Sequence, residues 1–433
     1  MELINKNQVP EGYKKTEIGV IPEDWEVKQI HQIIEVDPEN LTSKTDPDYE
    51  FKYISLEDVD NGCLCNYSNQ IFSQAPSRAR RILRYQDILF ATVRPNLKSH
   101  LFFDKNESDW ICSTGFAVLR CKENQSASGF IFAYLFSRAI TAQIEALISG
   151  SNYPAINSND VKNLEILLPP LPEQKAIAQT LSDVDALIAA LDKLIAKKRN
   201  IKTATMQQLL TGKTRLLGFD GEWETKMLGE LGIFSKGAGI KKDDVLDYGL
   251  PCIRYGEIYT RHHDLIKIFY SFISQNVASN SHLIKSGDLL FTGSGETSEE
   301  IGKCVAFIGD ESAYAGGDIV IFSPKEQDSM FLGYLMNHES IIRQKSRMGQ
   351  GDAVVHIQAK NLAQLQLYLP PVEEQKAIAQ VLSDIDTEIT ALEKRRAKTQ
   401  AIKQGMMQEL LTGRTRLKFE PPDDDPITKN SNG

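Results

Sequence analysis

The stretch Leu168-Pro-Pro-Leu-Pro-Glu-Gln-Lys-Ala-Ile-Ala-Gln179 is present twice in this chain, returning as Leu369-Pro-Pro-Val-Glu-Glu-Gln-Lys-Ala-Ile-Ala-Gln380. The match continues without a gap, 201 residues apart, as far as Leu216 and Leu417, and about 31 of the 49 paired positions are identical. A weaker match at the same offset relates Asp87–Phe90 to Asp288–Phe291. The chain is therefore two half-units in tandem, each a diverged domain followed by a nearly copied segment.

Each copied segment predicts one long helix. Pro169 and Pro170 keep the chain extended before the first helix, because proline fixes φ and moves the preceding residue out of the helical region. We expect this helix to run from near Glu173 towards Thr211 and to end at Gly212. At 1.5 Å per residue, about 35 to 40 helical residues span on the order of 55 Å, the length of a spacer.

Apolar residues in both helices alternate spacings of three and four, a period that predicts a coiled coil. Neither helix can hide this seam alone, whereas two copies in one chain can bury each other's, and we expect the pair to be antiparallel. A helix packed on its own domain is the alternative interpretation. The predicted seam residues are Ile177, Leu181, Val184, Ile188, Leu191, Ile195, Ile378, Leu382, Ile385, Ile389 and Leu392.

The diverged segments mix short β-like runs with few helices. Tyr85–Val93, Phe116–Arg120, Asp288–Thr292 and Gly317–Phe322 predict strands, and Phe130–Ser137 and Met330–Met336 predict helices at equivalent places. The predicted fold class is α/β, with two tandem α/β domains separated by two long helices in a pseudo-twofold internal repeat. We expect a first domain with an N-terminal arm at 1–165, a central helical spacer at 166–217, a second domain at 218–367, a distal helical spacer at 368–418 and a disordered tail at 419–433.

Composition limits the class of protein. The chain has 433 residues, which suits two or three domains, and its 41% hydrophobic and 25% charged content is that of a globular protein. No apolar run approaches the roughly 18 residues of a membrane span, and the N-terminus carries no secretory signal pattern, so we expect a cytoplasmic location. Six cysteines with one close pair, Cys63 and Cys65, predict neither a disulfide framework nor a zinc site. The net charge of −9 argues against a general polyanion binder but leaves a local basic contact face open.

Basic residues cluster within the diverged domains. The stretch from Arg78 to Lys98 contains six of them against one acid, Asp87, and arginine suits phosphate groups and guanine edges. In the second domain several lie beside glycines, which let a backbone approach a phosphate closely. A solvated basic edge is the alternative for the first cluster. The candidate DNA-binding residues are Arg78, Arg80, Arg81, Arg84, Arg94, Lys98, Lys236, Lys241, Lys242, Arg254, Tyr255, Arg343, Lys345 and Arg347.

Motifs that suggest catalysis do not hold up. Thr211–Thr214 resembles the end of a phosphate-binding loop, but the motif requires glycine at position 207, which is Gln207. The adjacent His262 and His263 would point to opposite faces of a strand and could not chelate one metal ion. We therefore expect no catalytic, cofactor-binding or metal-binding residue in this chain.

The duplicated motifs resemble those of the specificity subunits of type I restriction–modification systems. The resemblance is carried by Leu168–Ala178 and its copy Leu369–Ala379, and by the Leu-Leu-Thr-Gly-[Lys/Arg]-Thr-Arg-Leu sequence that closes each helix. Ile21–Trp25 and Gly218–Trp223, which lead into the two domains, are also typical of this family. The resemblance implies a non-catalytic subunit with two target recognition domains, each reading one half of a split, asymmetric DNA site.

The same resemblance implies a set of partners. It implies double-stranded DNA and two modification subunits, methyltransferases that bind S-adenosylmethionine and methylate adenine. Where the complex also cuts DNA, it implies two restriction subunits that use ATP and Mg²⁺. The helices would dock the modification subunits and fix the gap between half-sites, with half-site centres at most about 1.5 DNA turns apart. Two alternatives stay open, a coiled-coil scaffold outside restriction whose variable domains hold proteins, and a nuclease.

Overall fold

A computed structural model describes residues 9–60, 62–148, 154–297, 300–349 and 355–417. The chain forms two compact units, one of residues 1–191 with 395–433 and the other of residues 192–394. Each unit therefore contains one of the diverged domains together with a stretch of both long helices. The tail predicted at 419–433 lies outside the described residues.

The first domain is built from short strands and short helices. Its helices are α1 Ile30–Ile33, α2 Ser128–Leu135, α3 Arg138–Ile148 and α4 Ser158–Asn163. Its strands are β1 Tyr13–Thr16, β2 Gly19–Pro22, β3 Glu26–Gln29, β4 Ile34–Val36, β5 Glu50–Ile54, β6 Val59–Asp60, β7 Cys63–Leu64, β8 Ser68–Ile71, β9 Ala79–Ile82, β10 Ile88–Ala91, β11 Leu101–Phe102, β12 Trp110–Ser113, β13 Phe116–Cys121 and β14 Glu165–Leu168.

The long helix α5 Leu171–Leu209 follows the first domain, and α11 Val372–Leu410 follows the second. The helices of the second domain are α6 Tyr255–Thr260, α7 Gln275–Ala278, α8 Ser329–Met336, α9 Glu339–Met348 and α10 Ala359–Leu362. Its strands are β15 Glu224–Met227, β16 Gly232–Lys236, β17 Leu250–Ile253, β18 Leu265–Ile266, β19 Ser271–Ile273, β20 His282–Ile284, β21 Leu289–Thr292, β22 Ser294–Gly295, β23 Cys304–Phe307, β24 Ala313–Ala315, β25 Ile319–Pro324, β26 Val355–His356 and β27 Gln366–Leu369.

The two domains share one arrangement of sheets. In the first, β10 lies between β11 and β13, while β5 and β12 are parallel neighbours between β8 and β9. In the second, β21 lies between β23 and β25, while β17 and β24 are parallel neighbours between β19 and β20. Strands β10 and β21 are all apolar except Thr292 and are fully buried, as central strands covered on both faces must be. The predicted α/β class and the internal repeat are confirmed.

The strand predicted at Tyr85–Val93 is shorter than expected. The amide of Asp87 donates to the carbonyl of Arg84, and Gln86 has a left-handed φ of 68°, so a turn occupies the first part of this segment. The strand itself covers only Ile88–Ala91. Tyr85 is therefore a turn residue with its ring 51% exposed.

The two long helices have the predicted length and end. Each contains 39 residues, and Gly212 and Gly413, which follow them, have left-handed φ angles of 69°. Glycine adopts this conformation at the end of a helix without the steric cost of a side chain. Helix α5 begins two residues before the predicted start, because a proline such as Pro172 is tolerated in the first turn.

The helices run antiparallel within each unit. In the second unit Lys198 contacts Glu388, and Lys202, later in α5, lies 2.7 Å from Asp386, earlier in α11. In the first unit Lys403 lies 2.6 Å from Asp185. The predicted seam is buried at Ile177, Leu181, Leu191, Ile195, Ile378, Leu382 and Ile389, and half-buried at Val184, Ile188, Ile385 and Leu392.

The alternative of a helix packed on its own domain also holds for part of each helix. Ile177 and Leu181, near the start of α5, belong to the core that contains Trp25 of the first domain. Leu410 and Leu411, at the end of α11, complete the same core. The start of one helix and the end of the other thus pack together against each domain.

The copied motifs bind each other through a buried glutamate. In the first unit Glu173, which is fully buried, accepts two hydrogen bonds from Arg416 at 2.6 and 2.7 Å and one from the indole of Trp25 at 3.0 Å. In the second, Glu374 accepts the same bonds from Arg215 at 2.6 and 2.7 Å and from Trp223 at 3.2 Å.

The glutamine beside each glutamate fixes the helix to its own domain. Gln174 Oε1 accepts from the amide of Ala127, at the start of α2, and Gln375 Oε1 accepts from Asp328, at the start of α8. Every residue of the repeated Glu-Gln pair and the closing arginine therefore has a structural partner. This contact set explains why these motifs are nearly copied while the domains diverge.

No single helix of the described ranges is long and apolar enough to cross a membrane. The bent pair Ser128–Leu135 and Arg138–Ile148 passes that test by length and composition only.

Candidate nucleic-acid interface

Arginines at the edge strand β9 form an ion-pair network rather than a free basic surface. Arg81 lies 2.9 Å from Asp37, and Arg84 lies 2.8 Å from Glu39. Arg120, which the sequence reasoning missed, contacts the same Glu39. Burial alone would raise the pKa of Glu39, but hydrogen bonds from the two arginines lower it below its usual value. A DNA phosphate would have to compete with these carboxylates for the arginines. The same ion pairs hold the arginine side chains in fixed positions.

The other four predicted residues of this domain lie on turns and at the start of the strand. Arg78 is exposed in the turn before β9, and Arg80 is half-buried over the ring of Phe72 at 4.9 Å. Arg94 and Lys98 flank a short 3-10 turn, Pro95–Leu97, and both have left-handed φ angles, 49° and 55°. Such φ angles are uncommon outside glycine and cost free energy. The loop thus holds two basic residues together at a strained backbone.

Three of the lysines predicted in the second domain, Lys236, Lys241 and Lys242, are exposed, but their neighbouring glycines have a structural role. Lys236 ends β16, and Lys241 and Lys242 begin a short 3-10 turn. A Cβ on Gly237 would lie 2.1 Å from the carbonyl oxygen of Gly316, and the φ of Gly239 is +81°. These glycines are required by the domain's own backbone, so the prediction that they admit a phosphate is not supported by their geometry.

The remaining predicted residues differ in exposure. Tyr255 is exposed, whereas Arg254 is half-buried and lies 3.8 Å from Glu257. Arg343 is exposed and pairs with its helical neighbour Glu339, and Arg347 is exposed at the end of α9. Lys345 does not belong on the predicted surface, because its side chain turns inward from α9.

The burial of Lys345 corrects its assignment as a surface contact to DNA. The residue is only 1% exposed, and its ammonium donates to the carbonyl of Gly302 at 2.6 Å. The helical periodicity of α9 accounts for this, since residue 345 lies four positions after the buried Ile341 and on the same face.

Exposed aromatic side chains of the second domain were missed from the sequence. Tyr248 is 81% exposed, and Tyr270 is 43% exposed with the guanidinium of Arg261 5.3 Å from its ring centre. Exposed aromatic rings beside arginine are suited to stacking and to contacts with the edges of bases. In the sequence, Tyr248 stands between Asp247 and Gly249, residues typical of an exposed turn, whereas nothing separates Tyr270 from the neighbouring Phe269.

Metal-binding groups are not found in the described ranges. None of the described clusters of His, Cys, Asp and Glu side chains has three members placed to hold a metal ion. His262 is buried and His263 is exposed, but the pair lies in the loop between α6 and β18 and not in a strand as assumed. The described cysteines are free thiols, with Cys63 and Cys65 exposed.

Comparison with known proteins matches both halves of the chain to one protein family. The model of the type I restriction modification DNA specificity domain matches residues 22–199 and again 220–404. A putative type I restriction enzyme MjaX specificity subunit of Methanocaldococcus jannaschii is 28% identical, over 94% of this chain and 97% of that protein. The type I restriction enzyme MjaVIII specificity subunit of the same organism is 26% identical, over 96% and 99%.

Solved structures share the fold. A chain from a study of complex assembly and conformational transition of the type I R-M system aligns with a TM-score of 0.57 at 24% identity, covering 91% of this chain and 99% of that one. The type I restriction-modification S subunit from M. genitalium aligns with a TM-score of 0.58 at 16% identity, covering 89% and 96%. Together with the two family matches, these results show that the chain belongs to the type I restriction modification DNA specificity family.

Proposed function

We propose that this chain reads DNA for a type I restriction–modification complex, and that each of its domains reads one half of a split, asymmetric site. The observation that carries the proposal is the family match over both halves of the chain, each covering one domain and most of the helix that follows it. As a specificity subunit, the chain contributes recognition and assembly rather than catalysis.

Matched positions of the two domains support different half-sites. The edge strand β9 pairs Arg81 with Cys112 of β12, and the equivalent strand β20 pairs His282 with Ala315 of β24. Arg81 is held there by Asp37 and His282 by Ser235, so the two domains fill one matched place with side chains of different chemistry. Two domains of one fold whose edges differ in this way would read unlike sequences.

The nearly copied helices support two identical partners. Because about 31 of the 49 positions of the copied segment are identical, it presents many of the same side chains twice, and two copies of a methyltransferase subunit could dock in a similar way. These subunits would bind S-adenosylmethionine and methylate adenine. Restriction subunits that use ATP and Mg²⁺ would join where the complex also cuts. The chain would act on DNA in the cytoplasm.

Methylome sequencing tests the function directly. The chain is expressed with an adenine methyltransferase encoded beside it, and a two-part methylated sequence is the expected result. A variant with Arg78→Ala, Arg94→Ala and Lys98→Ala should weaken or relax one half only, since each base contact contributes about 1–3 kcal/mol. Lys44→Ala with Lys105→Ala, exposed lysines of the same domain outside the predicted cluster, is the charge control. Absence of any two-part site would overturn the proposal.

The gap between half-sites tests the role of the helices. Deleting seven residues from each helix removes two turns and shortens it by about 10 Å, which corresponds to about three base pairs of DNA. Both half-sequences should then still be methylated, with fewer bases between them. An unchanged gap would rule out the helices as its determinant.

A further inference from the structure

The second domain contains a cavity of about 850 Å³. Its wall includes Tyr255 and Tyr259 of α6, Glu296 after β22, Lys303 before β23, and Ile342 and Lys345 of α9. This volume falls in the range of sites that bind small molecules. The matched place in the first domain, bounded by Thr141 and Ile144 of α3, has only about 10 Å³.

Lys345 gives this cavity a buried cation. Its ammonium has three N–H donors, and one hydrogen bond, to the carbonyl of Gly302, is formed. No described carboxylate forms an ion pair with it, and burial lowers its pKa to about 8. A buried ammonium without a negative partner is unfavourable, because it has lost its hydration.

The fold itself does not require a lysine at this position. Helices α3 and α9 correspond at an offset of 201 residues, which matches Ile140 with Ile341 and Ile144 with Lys345. Ile144 is 3% exposed and packs in an apolar core. An apolar side chain therefore packs at this position in one domain, so packing does not account for the lysine in the other.

A second lysine faces the same cavity. Lys303 donates to the carbonyls of Tyr259 at 3.2 Å and His262 at 3.1 Å, which leaves one N–H donor. Burial lowers its pKa as well. The cavity wall thus holds two ammonium groups with unused donors beside the ion pair of Lys202 with Asp264, and ammonium donors suit the oxygens of a phosphate group.

The rest of the wall suits a base. Tyr255 is exposed, and Glu296 and Glu300 offer exposed carboxylates that can accept from ring N–H and amino groups. A Cβ on Gly295 would lie 2.8 Å from the hydroxyl of Tyr259, so glycine there keeps the backbone against the ring that supports the wall.

We infer that this cavity binds a nucleoside phosphate, with its phosphate oxygens accepting from Lys345 and Lys303 and its base beside Tyr255 and the two glutamates. The ligand is a free nucleotide, since a lysine that is only 1% exposed can meet a small molecule that enters the cavity but not the backbone of a duplex outside it. The inference concerns a site inside the second domain and does not depend on which bases that domain reads.

Titration of the full chain with AMP, inorganic phosphate and a short DNA duplex tests the site. The readouts are calorimetry and the NMR signal of the Lys345 ammonium in lysine-labelled protein. We expect AMP to bind, to shift that signal, and to bind at least tenfold more weakly to Lys345→Ile, the variant that introduces the residue of the first domain. Lys360→Ala, an exposed lysine of the same domain that lies outside the cavity wall and outside the predicted DNA-binding residues, should keep its affinity within twofold.

Each outcome decides the inference. Binding of AMP that is lost in Lys345→Ile supports a free nucleotide as ligand. A shift of the Lys345 signal by the duplex but not by AMP would assign this site to DNA contact and overturn the inference. If neither ligand shifts the signal in the unmodified chain, the inference is overturned whatever the variants do, and the methylation results still decide the DNA-reading proposal separately.

Discussion

The first and second units hold their domains on the helices by the same contact set, but the surroundings of that set differ. In both, a buried glutamate accepts from an arginine and a tryptophan. In the first unit Arg416 also binds Asp24 at 2.8 and 2.9 Å and holds the pKa of that carboxyl below its usual value, whereas in the second Arg215 binds the carbonyl of Gly221. The contacts of the buried glutamate with arginine and tryptophan are thus common to both units. The contacts of Arg416 with Asp24 and of Arg215 with Gly221 each occur in one unit only.

A second matched pair differs more. Lys403 contacts Asp185 in the first unit with both side chains partly exposed, at 30% and 53%. The equivalent Lys202 of the second unit is 15% exposed and bridges Asp264 at 2.6 Å and Asp386 at 2.7 Å. Tyr334 donates to the same Asp386 at 2.7 Å. One surface ion pair in the first unit has thus become a partly buried polar network in the second.

Removing the closing arginine should have the largest effect on stability. Arg416→Met leaves Glu173 buried with only the indole of Trp25 as donor. Breaking a buried pair costs about 3–5 kcal/mol, and because Arg416 itself is 35% exposed we expect a loss near the lower end, about 3 kcal/mol. Hydrogen exchange measured by mass spectrometry, peptide by peptide, should show this loss in the first domain and little change in the second. Arg215→Met should do the reverse.

The double variant Glu173→Gln with Arg416→Met is the control for that comparison. It removes the buried charge as well as its partner, so most of the lost stability should return. If Arg416→Met costs no more than about 1 kcal/mol, as an exposed ion pair would, the shared contact set is not what holds each domain on the helices.

Substitution of the matched lysines should produce a smaller difference in stability between the two units. Lys202→Met leaves two nearby carboxylates without their common cation, and we expect a loss of about 2–3 kcal/mol, reduced from a fully buried pair by partial exposure. Lys403→Met, at the equivalent position, should change stability by less than about 1 kcal/mol. Urea unfolding followed by the exchange of peptides in each domain gives both values. Equal losses would show that the second unit gains nothing from Asp264.

The helices and the repeat were predictable from the sequence because their signals are local and duplicated. Period-3.5 apolar residues, prolines before each helix and Gly212 after the first predicted both the bounds and the seam. The role of Arg416 was not predictable, because its partner Glu173 lies 243 residues away in the chain. Glu173 and Arg416 both lie in the copied motifs, and this was the only, indirect, indication in the sequence that they contact each other.

The DNA-binding residues were predicted by type and not by position. A count of arginines near Arg81 could not show that Asp37 and Glu39 lie beside them, since those acids are on another part of the chain. Lys345 looks like its neighbours Arg343 and Arg347 in sequence, and only the helical face separates them. The predicted residues themselves remain predictions until half-site methylation is measured.

Lowering the pH should produce the smallest of the expected differences in stability between the two domains. His100 is fully buried, stacked 4.3 Å from the ring of Phe90, and burial lowers its pKa to about 3. Because the folded pKa lies below the unfolded value, the unfolded chain binds the proton first, and stability falls as pH drops below about 6.5 towards the folded pKa.

This slope can be tested against a histidine that the second domain buries elsewhere. For His100 the loss should be about 1 kcal/mol for each pH unit between 6 and 4. His100→Gln keeps an acceptor for the amide of Ala91, which donates to the imidazole at 3.1 Å, and should flatten the slope of the first domain alone. His262, whose pKa burial lowers to about 4, gives the second domain its own dependence, so His262→Gln should flatten only that one. Hydrogen exchange measured at pH 7 and at pH 5 gives the pH dependence of stability for each domain. If the first domain of His100→Gln still loses stability at pH 5 as the unmodified chain does, groups other than His100 cause the loss.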